Sequence, residues 1–230
     1  MSFSIIARCA RTGQLGIGMA SPRLAGGVVL EAAILRGVGG ILVQGPPNPR
    51  LNRLAVNLLA QGWSPQVVLS ELRAEDEQFD SRQVAIVDRE NRVAISSPGA
   101  QPRAFLEGPG VAVLADGTEG SSVAAVMIRA FEADAGAELD ARLLAALEAG
   151  EVTSPESLRS SAMVLWGTLD YSELDLRVDM HEQPIRELRR VYDDFKPTAE
   201  FYEARARNPR MTMNAREFAG MLETRKAKSP

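Results

Sequence analysis

The sequence predicts a layered α+β fold, and three patterns along the chain lead to this prediction. Strand-like runs come in groups, helix-like runs come in blocks, and the two kinds do not alternate one by one. Strict strand–helix alternation would instead indicate a parallel, doubly wound sheet. The glycines of residues 16–18 open no helix and lack the third glycine of a dinucleotide-binding fingerprint, so a Rossmann fold does not fit.

Length and composition narrow the class of protein further. The 230 residues allow one or two domains, and 45% hydrophobic with 24% charged residues is the composition of a globular protein. The net charge of -4 argues against a dedicated nucleic-acid binder. One cysteine, Cys9, and one histidine, His181, argue against a disulfide scaffold or a zinc site of the usual kind. We therefore expect no metal and no cofactor.

Two features of the chain bear on its location. No run approaches the ~18 apolar residues that span a bilayer, so we expect no membrane association. The N-terminus leads directly into a strand-like pattern, without the basic region and apolar run of a signal peptide. The sequence therefore predicts a cytoplasmic protein.

The first third of the chain predicts four strands. Apolar residues at 3–8 and 15–21 flank the turn residues Thr12 and Gly13, which is typical of a hairpin. Two more apolar runs follow at 28–35 and 39–43, and the second stops at a Gly-Pro-Pro breaker. Glycine alternates with larger residues in the second strand, which indicates a close approach of another backbone or a ligand.

The remainder of the chain alternates between blocks of helix and groups of strand. Leucines and alanines at helical spacing predict a helix over 51–59, and Ser64-Pro65 is a good start for the next helix. Later elements follow from the same patterns. They are strands at 83–87, 92–96 and 111–115, helices at 121–133 and 139–149, strands at 162–166 and 174–178, and a helix at 185–195.

The C-terminal segment differs in character from the rest. Lys196-Pro197 breaks the preceding helix, which predicts a main domain over residues 1–195 and a helical, basic tail over 196–230. Residues 192–210 follow the last predicted strand, yet they carry four of the 12 aromatic side chains in the sequence. Aromatic residues mixed with arginines are enriched at interfaces, so we expect a homodimer or higher homo-oligomer that uses this segment. A helix packed back on its own subunit is the alternative.

Two residues stand out as candidates for chemistry. Ser2 follows the initiator methionine, and removal of Met1 would give it a free α-amino group that can act as base for its own hydroxyl. His181 is the only histidine and lies between a predicted strand and a predicted helix, a position where functional residues are common. A serine at position two is also common without any function, and His181 can equally form a cap or an ion pair.

The opening of the chain resembles a bacterial family called domain of unknown function 1028. The resemblance rests on the ordered set of 3–13, 15–21, 36–39, 48–50, 82–94, 143–150 and 175–190, and it covers about residues 2–195. It implies an Ntn-hydrolase-like fold, a four-layer αββα sandwich of two stacked antiparallel sheets between helices. The chain is identified as a divergent member, because a histidine and an asparagine-containing stretch common around 103–119 are absent.

The resemblance also implies where a site would lie. In such a fold Ser2 would be the nucleophile, and the N–H of Gly45 would donate to the oxyanion. The residues that would surround the substrate are Ser21, Glu31, Gln44, Asn48 and His181. The resemblance therefore implies an amidohydrolase acting on a small amide or peptide-like substrate. A non-catalytic small-molecule-binding protein on the same fold is the alternative, because there is no lysine before Lys196.

Overall fold

A computed structural model of the protein describes residues 1–26, 31–98, 103–117, 119–154 and 156–228. In these ranges the chain forms ten strands. They are β1 (Phe3–Arg8), β2 (Leu15–Ser21), β3 (Ala32–Leu35), β4 (Gly39–Gln44), β5 (Gln83–Asp88), β6 (Val93–Ser96), β7 (Arg103–Gly108), β8 (Val111–Asp116), β9 (Ser160–Trp166) and β10 (Leu174–Val178). The same ranges contain seven α-helices. They are α1 (Pro49–Ala60), α2 (Pro65–Glu75), α3 (Gly120–Glu132), α4 (Leu139–Thr153), α5 (Pro184–Phe195), α6 (Ala199–Arg207) and α7 (Ala215–Lys228).

The strands form two antiparallel sheets. The larger sheet has the order β10-β9-β2-β1-β8-β7, and the smaller has the order β3-β4-β5-β6. Strand β1 is therefore central in the larger sheet, with β2 on one side and β8 on the other. The register pairs Phe3 with Ala20 of β2 and with Ala115 of β8. The next residues beyond these pairs, Ser2, Ser21 and Asp116, therefore lie together at one end of the strands.

The two sheets stack face to face between two layers of helix. Helices α1 and α2 pack on the smaller sheet, whereas α3 and α4 pack on the larger one. The facing strands β1, β4, β5 and β8 bring the sheets into contact. This four-layer αββα arrangement confirms the fold class that the family resemblance implies.

Alternation along the strands builds two apolar cores. In β4 the side chain of Leu42 points into the core between the sheets, whereas Ile41 and Val43 point toward α1 and α2. The core between the sheets also includes Ile6, Ile17, Ala85, Ala112 and Leu114. A period of two residues sends neighbouring side chains to opposite faces, so one strand contributes to both cores.

The first helices begin and end where their sequence indicates. Ser64 caps α2 by accepting a hydrogen bond from the Val67 N–H, and Pro65 occupies the first turn, as predicted. Gly62 follows α1 with φ of +90°, and its N–H donates to the Leu59 carbonyl at 2.9 Å. A left-handed glycine at this position ends a helix without steric cost.

The structure contains an edge strand, β7, that the sequence pattern did not reveal, because its side chains do not alternate between buried and exposed. In the tail that was predicted to be helical and basic, the structure has the two helices α6 and α7. Residues 28–30 of the strand predicted over 28–35 lie outside the described residues.

Contacts divide the chain into two units, Met1–Leu188 and Arg189–Pro230. In the second unit Phe201 packs edge-to-face against Tyr202 and Phe218, with ring centroids 5.3 and 5.8 Å apart. Several aromatics of the predicted interface thus contact each other within one chain, and the oligomer itself stays a prediction, as does the domain boundary at 195. None of the described helices combines the length and the apolar character needed to cross a bilayer.

Candidate active site

Ser2 directly precedes the central strand β1, at the end of the larger sheet where β2 and β8 finish. The Asp116 N–H donates to the Ser2 carbonyl at 3.0 Å, which continues the pairing of β1 with β8. The Ser2 N–H donates to Asp116 Oδ1 at 2.5 Å, and the hydroxyls of Ser2 and Ser21 are 3.4 Å apart. The central position of β1 thus places an acidic group on one side of Ser2 and a hydroxyl on the other.

Gln44 reaches Ser2 from the opposite sheet. Its Nε2 donates to the Ser2 carbonyl at 3.0 Å and to Gln83 Oε1 at 3.3 Å, while its Oε1 accepts from the Ser4 hydroxyl at 2.7 Å. Gln83 continues the chain of bonds to the Ala104 carbonyl at 3.0 Å. Because Gln44 is only 4% exposed and both ends of its amide are occupied, it fixes the backbone of Ser2.

A loop after β2 covers the neighbouring side of the site. Ser21 Oγ accepts from the Arg23 N–H at 3.1 Å, and the buried Ser160 hydroxyl donates to the Arg23 carbonyl at 2.7 Å. The Gly26 N–H in turn donates to Ser160 Oγ at 3.1 Å. A Cβ on Gly26 would lie 2.8 Å from Ser160 Oγ, so only glycine lets the loop approach this closely.

Glu31 belongs to the same electrostatic environment. Burial raises the pKa of the Glu31 carboxyl above its ordinary value, the nearby Asp116 raises it further, and Arg23 opposes the shift. Two carboxyl groups and one guanidinium therefore lie around the start of β1. The side chain of Asn48 is elsewhere, 3.5 Å from Asp76, in the cluster that supports the loop after β4.

Gly45 directly follows Gln44, with φ of +120°. A Cβ on this residue would lie 3.1 Å from the Ser81 carbonyl oxygen, so the position requires glycine both for its backbone conformation and for space. Arg82 supports the loop from below, because its Nε donates to the Pro46 carbonyl at 2.7 Å. The backbone after β4 is therefore held rigidly one residue beyond the contact with Ser2.

His181 lies in a groove of about 650 Å³ that is also lined by Ser157, Leu158, Arg159, Met180 and Glu182. Its Nδ1 accepts from the Gln183 N–H at 3.0 Å. The groove connects to the site through the backbone, because the Arg159 N–H donates to the Ser21 carbonyl at 2.8 Å. The structure therefore brings Ser2, Ser21 and Gln44 together and leaves Asn48 and His181 outside this group.

Met1 fills the space next to Ser2. Its side chain has 0% exposure, and its terminal ammonium group pairs with the carboxylate of Glu156. A Cβ on Gly117 would lie 3.1 Å from Met1 Cε and 3.5 Å from Met1 Cβ, so Gly117 forms part of the wall around this side chain. Within the described ranges no group of three or more histidine, cysteine, aspartate or glutamate residues is arranged to hold a metal ion.

The raised pKa of Glu31 leads to a prediction about stability. From the ordinary glutamate pKa of about 4.3 up to the raised value, the folded protein keeps a proton that the unfolded chain has released, so the unfolding free energy falls as pH rises. Glutamine cannot ionise, so Glu31→Gln removes this pH-dependent loss of unfolding free energy. We expect its stability relative to the wild type to increase between pH 4.5 and pH 7.5, as measured by urea unfolding.

The matched variant for this measurement is Glu107→Gln, which removes an exposed carboxylate from the edge strand β7. Comparing the two variants separates the effect of burial from the loss of one charge. The prediction would be contradicted if the difference in unfolding free energy between Glu31→Gln and the wild type stayed constant across the pH series.

Sequence reasoning missed Asp116, Gln83 and Glu156. Asp116 ends a strand that was predicted over 111–115, but only the observed strand order shows that this strand neighbours β1. Glu156 is 155 positions from Met1 along the chain. The sequence did contain a signal for Asp116. This residue ends an apolar run, that of β8, just as Ser21 ends the apolar run of β2.

Comparisons with known proteins agree with this architecture. The crystal structure of a protein from Silicibacter pomeroyi matches with a TM-score of 0.77 and 24% identity, over 85% of this chain and 86% of that one. That protein is assigned to the DUF1028 family, and the likeness shows a shared fold. No curated protein matches the chain.

Two structures of Anbu from Hyphomicrobium sp. strain MC1 align much more loosely. The first, a Gly-1 mutant, gives a TM-score of 0.35 at 11% identity over 93% of this chain and 99% of that one. The second gives 0.37 at 13% identity over 92% and 100%. Superpositions this poor carry no argument about function.

The family model described as a family of unknown function, DUF1028, matches residues 2–188. These residues include every element from β1 to β10, together with Ser2, Asp116 and Glu156. The match confirms the resemblance stated from the sequence. The chain belongs to the DUF1028 family.

Proposed function

We propose that this protein is an N-terminal-nucleophile amide hydrolase in which Ser2 becomes the nucleophile once Met1 is removed. The observation that carries the proposal is the position of Ser2 at the start of a central strand, with its nitrogen at 2.5 Å from Asp116 Oδ1 and its hydroxyl at 3.4 Å from Ser21. The hydrolysable substrate would be a small amide or peptide-like molecule.

The proposed reaction uses groups of the first strand and of the loop after β4. The α-amine of the processed Ser2 takes the hydroxyl proton, and Oγ forms a bond to the substrate carbonyl carbon. The N–H of Gly45 would donate to the oxyanion. The carbon–nitrogen bond then breaks, the amine leaves with the proton, and a water molecule hydrolyses the resulting ester to release the acid and restore Ser2.

Neighbouring residues would position the nucleophile. The bonds of Gln44 and of the Asp116 N–H to the Ser2 carbonyl would hold the first residue in place when its peptide bond to Met1 is gone. Asp116 Oδ1 would accept a hydrogen bond from the α-amine and so orient the lone pair of the amine nitrogen toward Ser2 Oγ. A nucleophile fixed in this way loses little conformational freedom on reaching the reactive geometry.

One observation favours a second candidate function, a small-molecule-binding protein without turnover. Asp116 Oδ1 lies 2.5 Å from the Ser2 nitrogen, so it would pair with the ammonium form of a free Ser2 amine, and an ammonium group cannot accept the hydroxyl proton. A free α-amine has an ordinary pKa of about 7.7–8.0, so the neutral base would form mainly above that pH. If the protein is an enzyme, its kcat/KM is expected to rise into the alkaline range.

The test uses chains released from a cleavable fusion with Ser2 as the first residue. Incubation with an activated ester such as 4-nitrophenyl acetate between pH 7 and pH 10 is expected to acylate Ser2 Oγ and, as the ester is hydrolysed, to release many equivalents of 4-nitrophenolate per chain, whereas acetylation of the α-amine stops at one equivalent. Ser2→Ala should lose this repeated release and all turnover of small amides. Ser70→Ala, which changes an exposed serine of α2, should retain both.

Failure to acylate Ser2 at any pH, together with absence of amide turnover, would overturn the hydrolase and leave the binding protein. In that case Ser2→Ala should leave any ligand-induced rise in melting temperature unchanged. Intact mass of natively expressed, active protein provides a second check, because a fully retained Met1 contradicts the mechanism.

A further inference from the structure

The space that Met1 occupies has the properties of a ligand-binding pocket. An apolar side chain with 0% exposure fills it, and a carboxylate at its mouth pairs with the ammonium group of the same residue. We call this space the Met1 pocket, with Gly117, Asp116 and Glu156 as its defining residues. Glu156 itself remains 52% exposed, so the mouth of the pocket is open to solvent.

Removal of Met1 would empty this pocket and change its charge. The Glu156 carboxylate would lose its partner, and the volume of one methionine side chain would open beside Ser2. The pocket adjoins the nucleophile by covalent geometry, since the Met1 carbonyl carbon is bonded to the Ser2 nitrogen. An acyl group attached to Ser2 Oγ would start only a few bonds from that carbon and could extend into the same space.

We propose that the Met1 pocket binds the acyl part of the substrate, and that this part is an α-aminoacyl group with a free ammonium group and an unbranched apolar side chain. The substrate class is therefore an aminoacyl amide or a short peptide with a free N-terminus. This inference rests on the proposed function, because the group must be delivered to Ser2. The carboxylate of Glu156 recognises the ammonium group as it recognises that of Met1.

Shape and charge both select for this class. Gly117 has φ of +89°, and a Cβ there would lie 3.1 Å from Met1 Cε, so the wall leaves room for a side chain of methionine length. Two carboxyl groups contact this part of the chain, that of Glu156 at the Met1 ammonium group and that of Asp116 at the Ser2 nitrogen. Acyl groups with a negative charge, such as glutaryl or succinyl, would be repelled, and N-acetylated substrates would lack the ammonium group that pairs with Glu156.

The binding experiment uses Ser2→Ala chains, which cannot be acylated, released with residue 2 as their first residue. Isothermal titration with L-methioninamide is expected to show binding, and N-acetyl-L-methioninamide should bind at least tenfold more weakly. Glu156→Gln should lose roughly three- to fivefold in affinity for L-methioninamide only, because Glu156 is half-exposed. Glu182→Gln, which alters a glutamate of the neighbouring groove, should bind normally.

A second control keeps the pocket filled. Chains released with Met1 as their first residue, verified by intact mass, should not bind L-methioninamide, because their own methionine occupies the site. Equal binding by these chains, or equal affinity for the acetylated ligand, overturns the inference. Circular dichroism spectra and melting curves of every variant establish that lost binding does not come from lost folding.

The outcomes also separate this inference from the proposed function. If Ser2 is acylated by activated esters but L-methioninamide does not bind, the hydrolase stands and the aminoacyl pocket is wrong. If L-methioninamide binds through Glu156 but Ser2 is never acylated, the pocket stands and the hydrolase is wrong. Turnover of methionyl and leucyl amides, with loss of kcat/KM in Glu156→Gln, supports both.

Discussion

Replacing Arg82 by methionine is expected to lower the unfolding free energy by about 3–5 kcal/mol, because it leaves a buried carboxylate without its partner. Arg82 and Asp76 form an ion pair at 2.6 Å with side chains only 8% and 10% exposed. The same guanidinium donates to the carbonyls of Pro46 and Gln78 at 2.7 and 2.6 Å. Thermal unfolding should shift downward by roughly 10 °C for a chain of this size.

The matched control is Arg50→Met. Arg50 pairs with Glu75 at a similar distance, 2.7 Å, but the two side chains are 68% and 48% exposed. Solvent-exposed pairs contribute about 0–1 kcal/mol, so this variant should melt within a few degrees of the wild type. Equal shifts in the two variants, measured by scanning calorimetry, would show that the burial of Arg82 has no energetic consequence.

The second large effect is expected from Gln44→Leu, which keeps the size of the side chain and removes its hydrogen bonds. The Ser4 hydroxyl and Gln83 Oε1 lose a partner in a part of the core where Ser4 is 1% and Gln83 0% exposed. Each orphaned buried group costs about 1–3 kcal/mol, so the variant should lose roughly 2–5 kcal/mol of stability in urea unfolding. The acylation of Ser2 should also slow, since its carbonyl loses a donor.

A double-mutant cycle tests the origin of this loss. In Ser4→Ala/Gln44→Leu one orphaned hydroxyl is removed, so the double variant should be less destabilised than the sum of the single variants. Gln66→Leu is the external control, because Gln66 lies exposed on α2 and its side chain donates to the Val93 carbonyl. Additive losses in the cycle would contradict a direct bond between Ser4 and Gln44.

Local patterns in the sequence were sufficient for most of the elements but not for their arrangement. Alternation and turn residues predicted the hairpin of β1 and β2, and Ser64 with Pro65 predicted the start of α2. The sequence analysis did not predict the edge strand β7, because its neighbouring residues Phe105 and Leu106 are both substantially exposed, at 46% and 38%, and do not alternate in burial. A strand with partners on one side only need not bury alternate residues.

The candidate site depends on contacts between distant parts of the chain, which a local pattern does not encode. The family resemblance supplied Ser2, Ser21 and Gln44, and the structure brings these three together. It could not indicate that Asp116 contacts the Ser2 nitrogen, because this follows from β8 pairing with β1. The resemblance also implied Asn48 as a neighbour of the site, and the structure places its side chain against Asp76 at 3.5 Å.

If Met1 is removed, as the proposed function requires, its burial bears on when that removal can occur. Its partner Glu156 is 155 positions further along the chain, and β8, which ends beside Ser2, also follows more than 100 residues after it. At about 5–20 residues per second the ribosome needs on the order of 10 s to deliver these segments. During that interval the terminus has no folded site to enter, so we expect an aminopeptidase to act mainly on the nascent chain.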